Sequence, residues 1–316
     1  MSSYVGSLLT LGLALQAEAR VSAHILLDDS HRHSTATESP GLLARADETS
    51  VRIRPLTSLP DYQACVALQI EVWGSEYDDT IPATLLQVAT HIGGVAAGAF
   101  NPNGELLGFV FGLTGVKDGE VLHWSHALGV RETSRNGGVG RMLKEHQRTE
   151  LARRGIANMY WTFDPLIAKN AHLNLNRLGA RVVEYVPDMY GTTRSPLHHG
   201  LATDRLVVVC ATGPRPPARF ATSPLTDRVP LLTRATQAGD IIAAGNGEYP
   251  PTVSIEVPTD IEQVIAESPP TAAEWHASIR RHFRWALGSG YTVTGLRRDP
   301  IASRSFYTLE LHPKLA

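Results

Sequence analysis

From Val51 onward, short apolar runs and amphipathic stretches follow one another, and the spacing changes at turn residues. VRIRPL (51–56) alternates and predicts a strand. Leu59-Pro60-Asp61 predicts the start of a helix reaching about Trp73, with Val66, Ile70 and Trp73 on its apolar side. Pro82 in a first-turn position predicts a second helix over ATLLQVATHI. GGVAAGAF and ELLGFVFGLTG, on either side of an Asn-Pro-Asn-Gly turn, predict a hairpin. The turn at 117–119 leads into EVLHWSHALGV (120–130), which predicts a buried strand. Val139, Met142, Leu143 and Leu151 then recur at roughly helical spacing, up to Gly155. IANMYWTF predicts a strand parallel to 120–130, the helix between them forming a right-handed crossover. A helix over 168–178 stopped by Gly179, a strand ARVVEYV, a loop GTTRSPLHHGLAT and a strand DRLVVVCAT follow.

Five prolines between 213 and 230 predict a linker. Beyond it, TVSIEVP, helices over 260–266 and 271–287, and the strands YTVTGLRR and SFYTLEL form a β-α-α-β-β extension within 231–316. An extension of this size is too small to read as an independent domain, so it is expected to pack on the part before it.

Composition narrows the class. The chain has 316 residues with 43% hydrophobic and 19% charged, which suits a globular protein with a sizeable core. A net charge of −2 offers no basic field for nucleic acid. Cys65 and Cys210 are too far apart in sequence to read as a metal motif, and they fit a reduced compartment, so a cytoplasmic location is expected. No apolar run reaches the ~18 residues of a membrane span. Residues 5–15 (VGSLLTLGLAL) followed by Ala17-Glu18-Ala19 have the form of a signal peptide, yet no Lys or Arg precedes them. With the polar, aperiodic stretch up to residue 50, they are expected to be a disordered extension or an over-read gene start rather than a secretion signal.

The candidate chemistry centres on Arg135-Asn136-Gly137-Gly138-Val139-Gly140, between the strand 120–130 and the helix after it. Glycines at such a junction let the backbone approach a ligand, and the helix start offers free N–H groups to a diphosphate. Leu143 stands where a dinucleotide fingerprint needs its third glycine, and Gly140-Arg141-Met142 lacks the ending of a nucleotide P-loop. The match is to [Q/R]-x-x-G-x-G/A after a strand ending Leu128-Gly129-Val130. Here the chain resembles the GNAT superfamily of acyl-CoA-dependent N-acyltransferases, and from Val51 to about Leu311 it resembles a GNAT subgroup with this same tail. The resemblance implies an α/β (α+β) fold with a mixed, mostly antiparallel twisted sheet and helices on both faces, spanning 51–212. It also implies acetyl-CoA or another acyl-CoA as co-substrate. Arg135 to Arg141 would hold the diphosphate, and Leu128, Gly129 and Val130 the pantetheine and acyl carbonyl.

Acyl transfer from CoA to an amine needs a polarised carbonyl, a base for the ammonium and a proton for the thiolate. The resemblance implies a glutamate near Trp124 as base and a tyrosine at Leu175 as acid, and neither is present. By strand alternation His126 shares a face with Trp124 and Leu128, and His123 and Ser125 point the other way. His126 is therefore the first candidate base, a core histidine bonded to a carbonyl being the alternative. Asp164 is the second, or else forms the turn before Pro165; Tyr190 is a substitute acid. Asn170 and Asn174, i and i+4 on a helix, are candidates for pantetheine amides. His198 and His199 lack any further ligand pattern, so no metal is expected. The expected activity is transfer of an acetyl or other short acyl group to a primary amine of a small molecule or amino acid. A catalytically silent CoA-binding module is the alternative. Neither nucleic acid nor membrane is an expected partner, and a homodimer stays open.

Overall fold

The computed structural model describes residues 51–75, 77, 79–191, 200–214, 229–236, 248–299 and 304–311. The expectations for residues 1–50, for His198 and His199 and for Pro216, Pro217 and Pro224 lie outside the described residues. The first strand, β1 (Arg52–Pro55), is tied at once to the helix after it: both terminal nitrogens of the Arg54 guanidinium donate to Asp61, at 2.9 and 2.7 Å. Ser58 and Asp61 make a reciprocal capping box that starts α1 (Leu59–Trp73). Helix α2 (Ala83–His91) begins after Pro82, as its ring predicts. Strands β2 (Val95–Phe100), β3 (Leu106–Lys117) and β4 (Glu120–Val130) form an antiparallel meander. The long helix α3 (Val139–Arg153) crosses over to β5 (Asn158–Phe163), which lies parallel to β4.

Next, α4 (Ala168–Ala171) opens as α-helix and widens into a π turn over His172–Arg177. Strands β6 (Arg181–Val186) and β7 (Arg205–Ala211) complete a seven-stranded sheet of order β1-β2-β3-β4-β5-β7-β6. Its one parallel pairing is β4 with β5. One face packs on α1 and α2 through Leu68, Leu86, Phe109 and Phe111. The other carries α3 and α4.

The C-terminal extension builds a second, four-stranded sheet of order β10-β11-β9-β8. Its elements are β8 (Leu231–Leu232), β9 (Thr252–Pro258), α5 (Ile261–Glu267), α6 (Pro269–Gly288), β10 (Tyr291–Asp299) and β11 (Arg304–Leu311). The two-residue β8, too short for any periodic signal, is absent from the sequence reading. One buried cluster runs from Met159, Trp161 and Phe163 on β5 through Leu206 and Val208 on β7 to Val253, Ile255, Phe283 and Tyr307 of the extension. Phe283 stacks on Tyr185 of β6 at 5.5 Å and meets Tyr307 edge-on at 4.9 Å, so one ring joins the two sheets.

Polar clamps fix the junction. Asn176 exchanges two hydrogen bonds with the backbone of Leu296, its Nδ2 donating at 2.7 Å and its Oδ1 accepting at 3.0 Å. Tyr307 donates to the Pro165 carbonyl at 2.8 Å. Asp204, 2% exposed, receives a bidentate pair from Arg280 of α6, the Tyr185 hydroxyl and the Asp188 N–H, with His276 3.4 Å away. Burial alone would raise this carboxyl's pKa, but the Arg280, His276 and Tyr185 contacts hold it well below the usual carboxylate range. The depressed pKa stabilises the fold above the unfolded value of ~3.9 and that stability is lost as acid titrates the folded group. Removing Arg280 leaves a buried carboxylate without its main partner. Arg280→Met should therefore lower unfolding stability by roughly 2–4 kcal/mol at pH 7 in urea titration, given that the arginine is partly solvated.

Candidate functional site

Strands β4 and β5 are in register at His123–Met159 and Trp124–Tyr160, and beyond those pairs they part. A bulge in β4 lies at the point of parting. Opposite β3, Ser125 faces Gly112 and Ala127 faces Phe111, leaving His126 as the extra residue. A bulge bends its strand and disrupts the ladder, so β4 turns away from β5 and a fork opens in the sheet. Along Ala127–Val130 the β4 edge that faces the fork has no strand against it among the described residues. Backbone amides on that edge are free to bond a guest.

The bulge also corrects the expected alternation. His126 was expected on the face of Trp124 and Leu128. Instead Leu128 and Val130 pack with Val139 and Leu143 of α3, while His126 lies edge-on to Phe111 at 6.3 Å, on the α1–α2 side. The imidazole is exposed, and partial desolvation still pushes its pKa below the ordinary value, against the pull of Asp79.

At the outer end of the fork lies the glycine loop. Asn136 (φ 66°) and Gly138 (φ 83°) both adopt left-handed backbone on either side of Gly137. Alternation of this kind turns successive N–H groups inward into an anion-binding nest. Gly138 is the N-cap of α3, with no side chain capping the helix and no acidic residue in its first turn. The helix therefore starts with bare N–H groups and the positive end of its dipole. A Cβ on Gly140 would lie 3.5 Å from Leu128, so the helix start abuts the end of β4. Arg135 donates to the Val130 carbonyl at 3.3 Å and is exposed, as is Arg141. The residues present fit a diphosphate.

Beneath the fork lies a polar chain absent from the sequence reading. Lys144 donates to Ser125 Oγ at 2.6 Å, and Ser125 donates to Gln147 Oε1 at 2.7 Å. Gln147 Nε2 meets His123 Nε2 at 3.0 Å, and His123 Nδ1 meets Thr114 Oγ1 at 3.0 Å. The Lys144 amine also lies 4.3 Å from the centre of the Trp161 ring. All of these except Thr114 are buried. Two signals could have found them. Gln147 falls on the stripe Val139–Leu143–Leu151 with Lys144 beside it, and His123 and Ser125 share the strand face turned toward that stripe. Met142, read as apolar-face, is 37% exposed; Lys144 and Gln147 occupy the covered face instead.

The other candidates are distributed as follows. Tyr190, 43% exposed, bonds Thr162 of β5 at 3.0 Å and lies under the Arg205 guanidinium at 5.4 Å. Tyr77 belongs to the same side: burial raises its phenol pKa, and Asp79 and Tyr190 add to the shift. Asp164 accepts from the Leu166 N–H at 2.8 Å and lies 3.7 Å from Arg205, so its carboxylate is engaged in the turn and in holding that arginine. Burial raises its pKa. Asn174 does not face a ligand: its Oδ1 takes the Trp161 indole N–H at 2.9 Å. Asn170 is exposed on the first turn of α4, so the two are not neighbours on one open face. Leu175 is core at 8% exposure. Among the described residues no group of three or more His, Cys, Asp and Glu is arranged to hold a metal ion, and no helix is long and apolar enough to cross a membrane.

An antiparallel meander, a bulged fourth strand, a fork with its parallel neighbour and a glycine-nested crossover helix occur here together. This is the arrangement that the sequence resemblance to the GNAT superfamily implies. No protein-family model matches the sequence, and no curated protein matches it in sequence comparison. Among solved structures, the chain is similar to an aminoglycoside 6'-N-acetyltransferase complexed with coenzyme A, at 18% identity over 52% of this chain and 99% of that one, with a TM-score of 0.40. It is similar to the ribosomal-protein-S18-alanine N-acetyltransferase from Escherichia coli at 17% identity, over 53% of this chain and 97% of that one, TM-score 0.40. A GNAT-family acetyltransferase from Streptococcus pneumoniae is similar at 14% identity, over 51% and 99% of the two chains, TM-score 0.42.

Within the seven-stranded sheet, Gly112 lets His123 and Gln147 lie over the bulge. A Cβ there would stand 2.2 Å from His123 Nε2, 2.7 Å from the Trp124 carbonyl oxygen and 2.9 Å from Gln147 Nε2. Gly112→Ala should cost at least 1–3 kcal/mol, on the order expected of overpacking, in denaturant titration. Gly115→Ala, where a Cβ meets nothing within 4 Å, should cost far less.

Proposed function

We propose that the chain is a CoA-dependent N-acyltransferase, moving an acetyl or other short acyl group directly to a primary amine of a small molecule or amino acid in a ternary complex. The carrying observation is the continuity of the fork with the anion nest. Leu128 and Val130 line the open strand edge and at the same time touch the first turn of α3. A ligand with a diphosphate at one end and an extended amide-bearing arm at the other fits that path.

Bound acyl-CoA supplies an acyl carbonyl activated as a thioester. The protein's residues do the rest. N–H groups of 136–141 and the α3 dipole hold the diphosphate, flanked by Arg135 and Arg141. Leu128 and Val130 turn their amides to the fork, with Gly129 between them paired back to β3; they hold the arm and draw electron density from the carbonyl oxygen. His126, exposed at the bulge and kept neutral at physiological pH by its lowered pKa, takes a proton from the acceptor ammonium. Tyr77, Asp79, Tyr190 and Arg205 surround the acceptor side, with Asp164 positioning Arg205. The same reading places the protein in the cytoplasm, in keeping with two buried cysteines far apart in the sequence.

The second reading is a CoA-binding module without turnover, favoured by the buried leucine and the tryptophan that occupy the places where the resemblance implies acid and base. Calorimetric titration with CoA tests what the two readings share, and binding is expected. Thiol release from acetyl-CoA across an amine panel separates them: release that depends on the amine supports the enzyme, and silence across the panel supports the module. His126→Ala should lower kcat/KM on the order of 10²-fold. The wild-type rate should rise with pH through a midpoint below the ordinary histidine value of ~6.5, because the base acts unprotonated. An unchanged acid limb in the variant would remove His126 from the role.

A further inference from the structure

Among the described residues, Lys144 stands out as a buried amine with no carboxylate in salt-bridge contact. Its position is defined by the fork. Ser125 follows Trp124 and Trp161 follows Tyr160, the last residues in register, and the Lys144 amine bridges these two, bonded to Ser125 Oγ at 2.6 Å and 4.3 Å from the Trp161 ring. It therefore sits at the apex where β4 and β5 begin to part. The strand from Val130 back to Ser125 spans roughly 16 Å at ~3.3 Å per residue, comparable to an extended pantetheine arm. An arm anchored at the α3 nest and laid along β4 ends with its sulfur at this apex. His126 reaches the fork from the α1–α2 face and Lys144 from the α3 face.

We propose that the Lys144 ammonium is the proton donor to the sulfur that leaves in acyl transfer. The inference rests on the acyl-transfer reading and supplies what that reading lacks, since Leu175 occupies the position where the resemblance implies a tyrosine acid. As the acyl carbon–sulfur bond breaks, its electron pair goes to sulfur. Lys144 gives one proton to the sulfur, becomes a neutral amine and regains a proton from water once product has left. The acceptor ammonium loses two protons in becoming an amide, one through His126. One of the two balances the thiol and the other is released.

The surroundings permit this exchange. Burial pushes the Lys144 pKa down to about 7, against a weaker pull from Cys210 on β7. On β4, His123 is held neutral, pushed down to about 4 by burial and then by the charges of Lys144 and Arg154. Ser125, Gln147 of α3 and Trp161 of β5 are neutral and supply hydrogen bonding and a ring face. A buried ammonium that changes protonation near neutrality suits a donor.

Two measurements decide it. Carbon-13 lysine labelling with NMR should show a Lys144 Cε resonance titrating near neutrality, and its midpoint should move when CoA binds but not when desulfo-CoA, which lacks the thiol, binds. If CoA binds and the two ligands leave the same midpoint, Lys144 does not face sulfur and the proposal falls, the acyl-transfer reading surviving. If CoA does not bind, that reading itself falls. In turnover, the kcat/KM profile should fall on its alkaline side through about 7, because the donor acts protonated. Lys144→Met should lower kcat on the order of 10²-fold and erase that limb, with acceptor and CoA affinities kept. Lys144→Arg, charged but unable to give up a proton near neutrality, should be as slow as Lys144→Met. Full activity in Lys144→Arg would show that charge alone is needed and overturn the proposal.

Discussion

A parallel strand pair normally continues its ladder for the length of the shorter strand, and here it stops after two registered pairs. The bulge at His126 is the physical cause. It inserts one residue where β4 must stay paired to β3 on one side, so the strand bends away on the other. That divergence sets out the proposed site: unpaired amides along one edge, a histidine on one face, a lysine at the apex and an anion nest at the mouth. A sheet without the bulge would close the gap with ordinary hydrogen bonds and leave the α3 nest facing no cleft.

Bending a strand inside a core leaves polar groups to be satisfied, and the chain from Lys144 through Ser125, Gln147 and His123 to Thr114 does so beneath the bulge. Gly112 makes room for it. The extension secures the other flank. Arg280 and His276 of α6 hold Asp204, whose neighbours Thr203 and Arg205 contact the Tyr190 segment: Thr203 Oγ1 accepts from the Tyr190 N–H at 2.9 Å, and Arg205 covers the ring. The second sheet thus backs the face opposite α1 and α2 and pins the segment around Tyr190.

Much of the fold was legible in the chain. Alternation, Pro82, the Asn101 turn and the Gly179 stop gave the elements and their order, and the glycine loop after a strand gave the crossover. What was not legible came from tertiary context. A bulge carries no periodic signature, so the strand was read as regular and Leu128 was assigned to the wrong face. The asparagines of α4 looked available because propensity gave no reason for them; Asn174 and Asn176 are there to clamp Trp161 and Leu296. Lys144 was not singled out, because its covering partners lie on two other elements, and only the pairing of a helix stripe with a strand face exposes it.

Amide hydrogen exchange with and without CoA tests the fork most directly. Saturating CoA should slow exchange at Ala127–Val130 and at 136–141 while leaving the extension's β9 and β11 unchanged. Protection confined to other segments, or none at all, would mean that the parted strands hold no pantetheine arm.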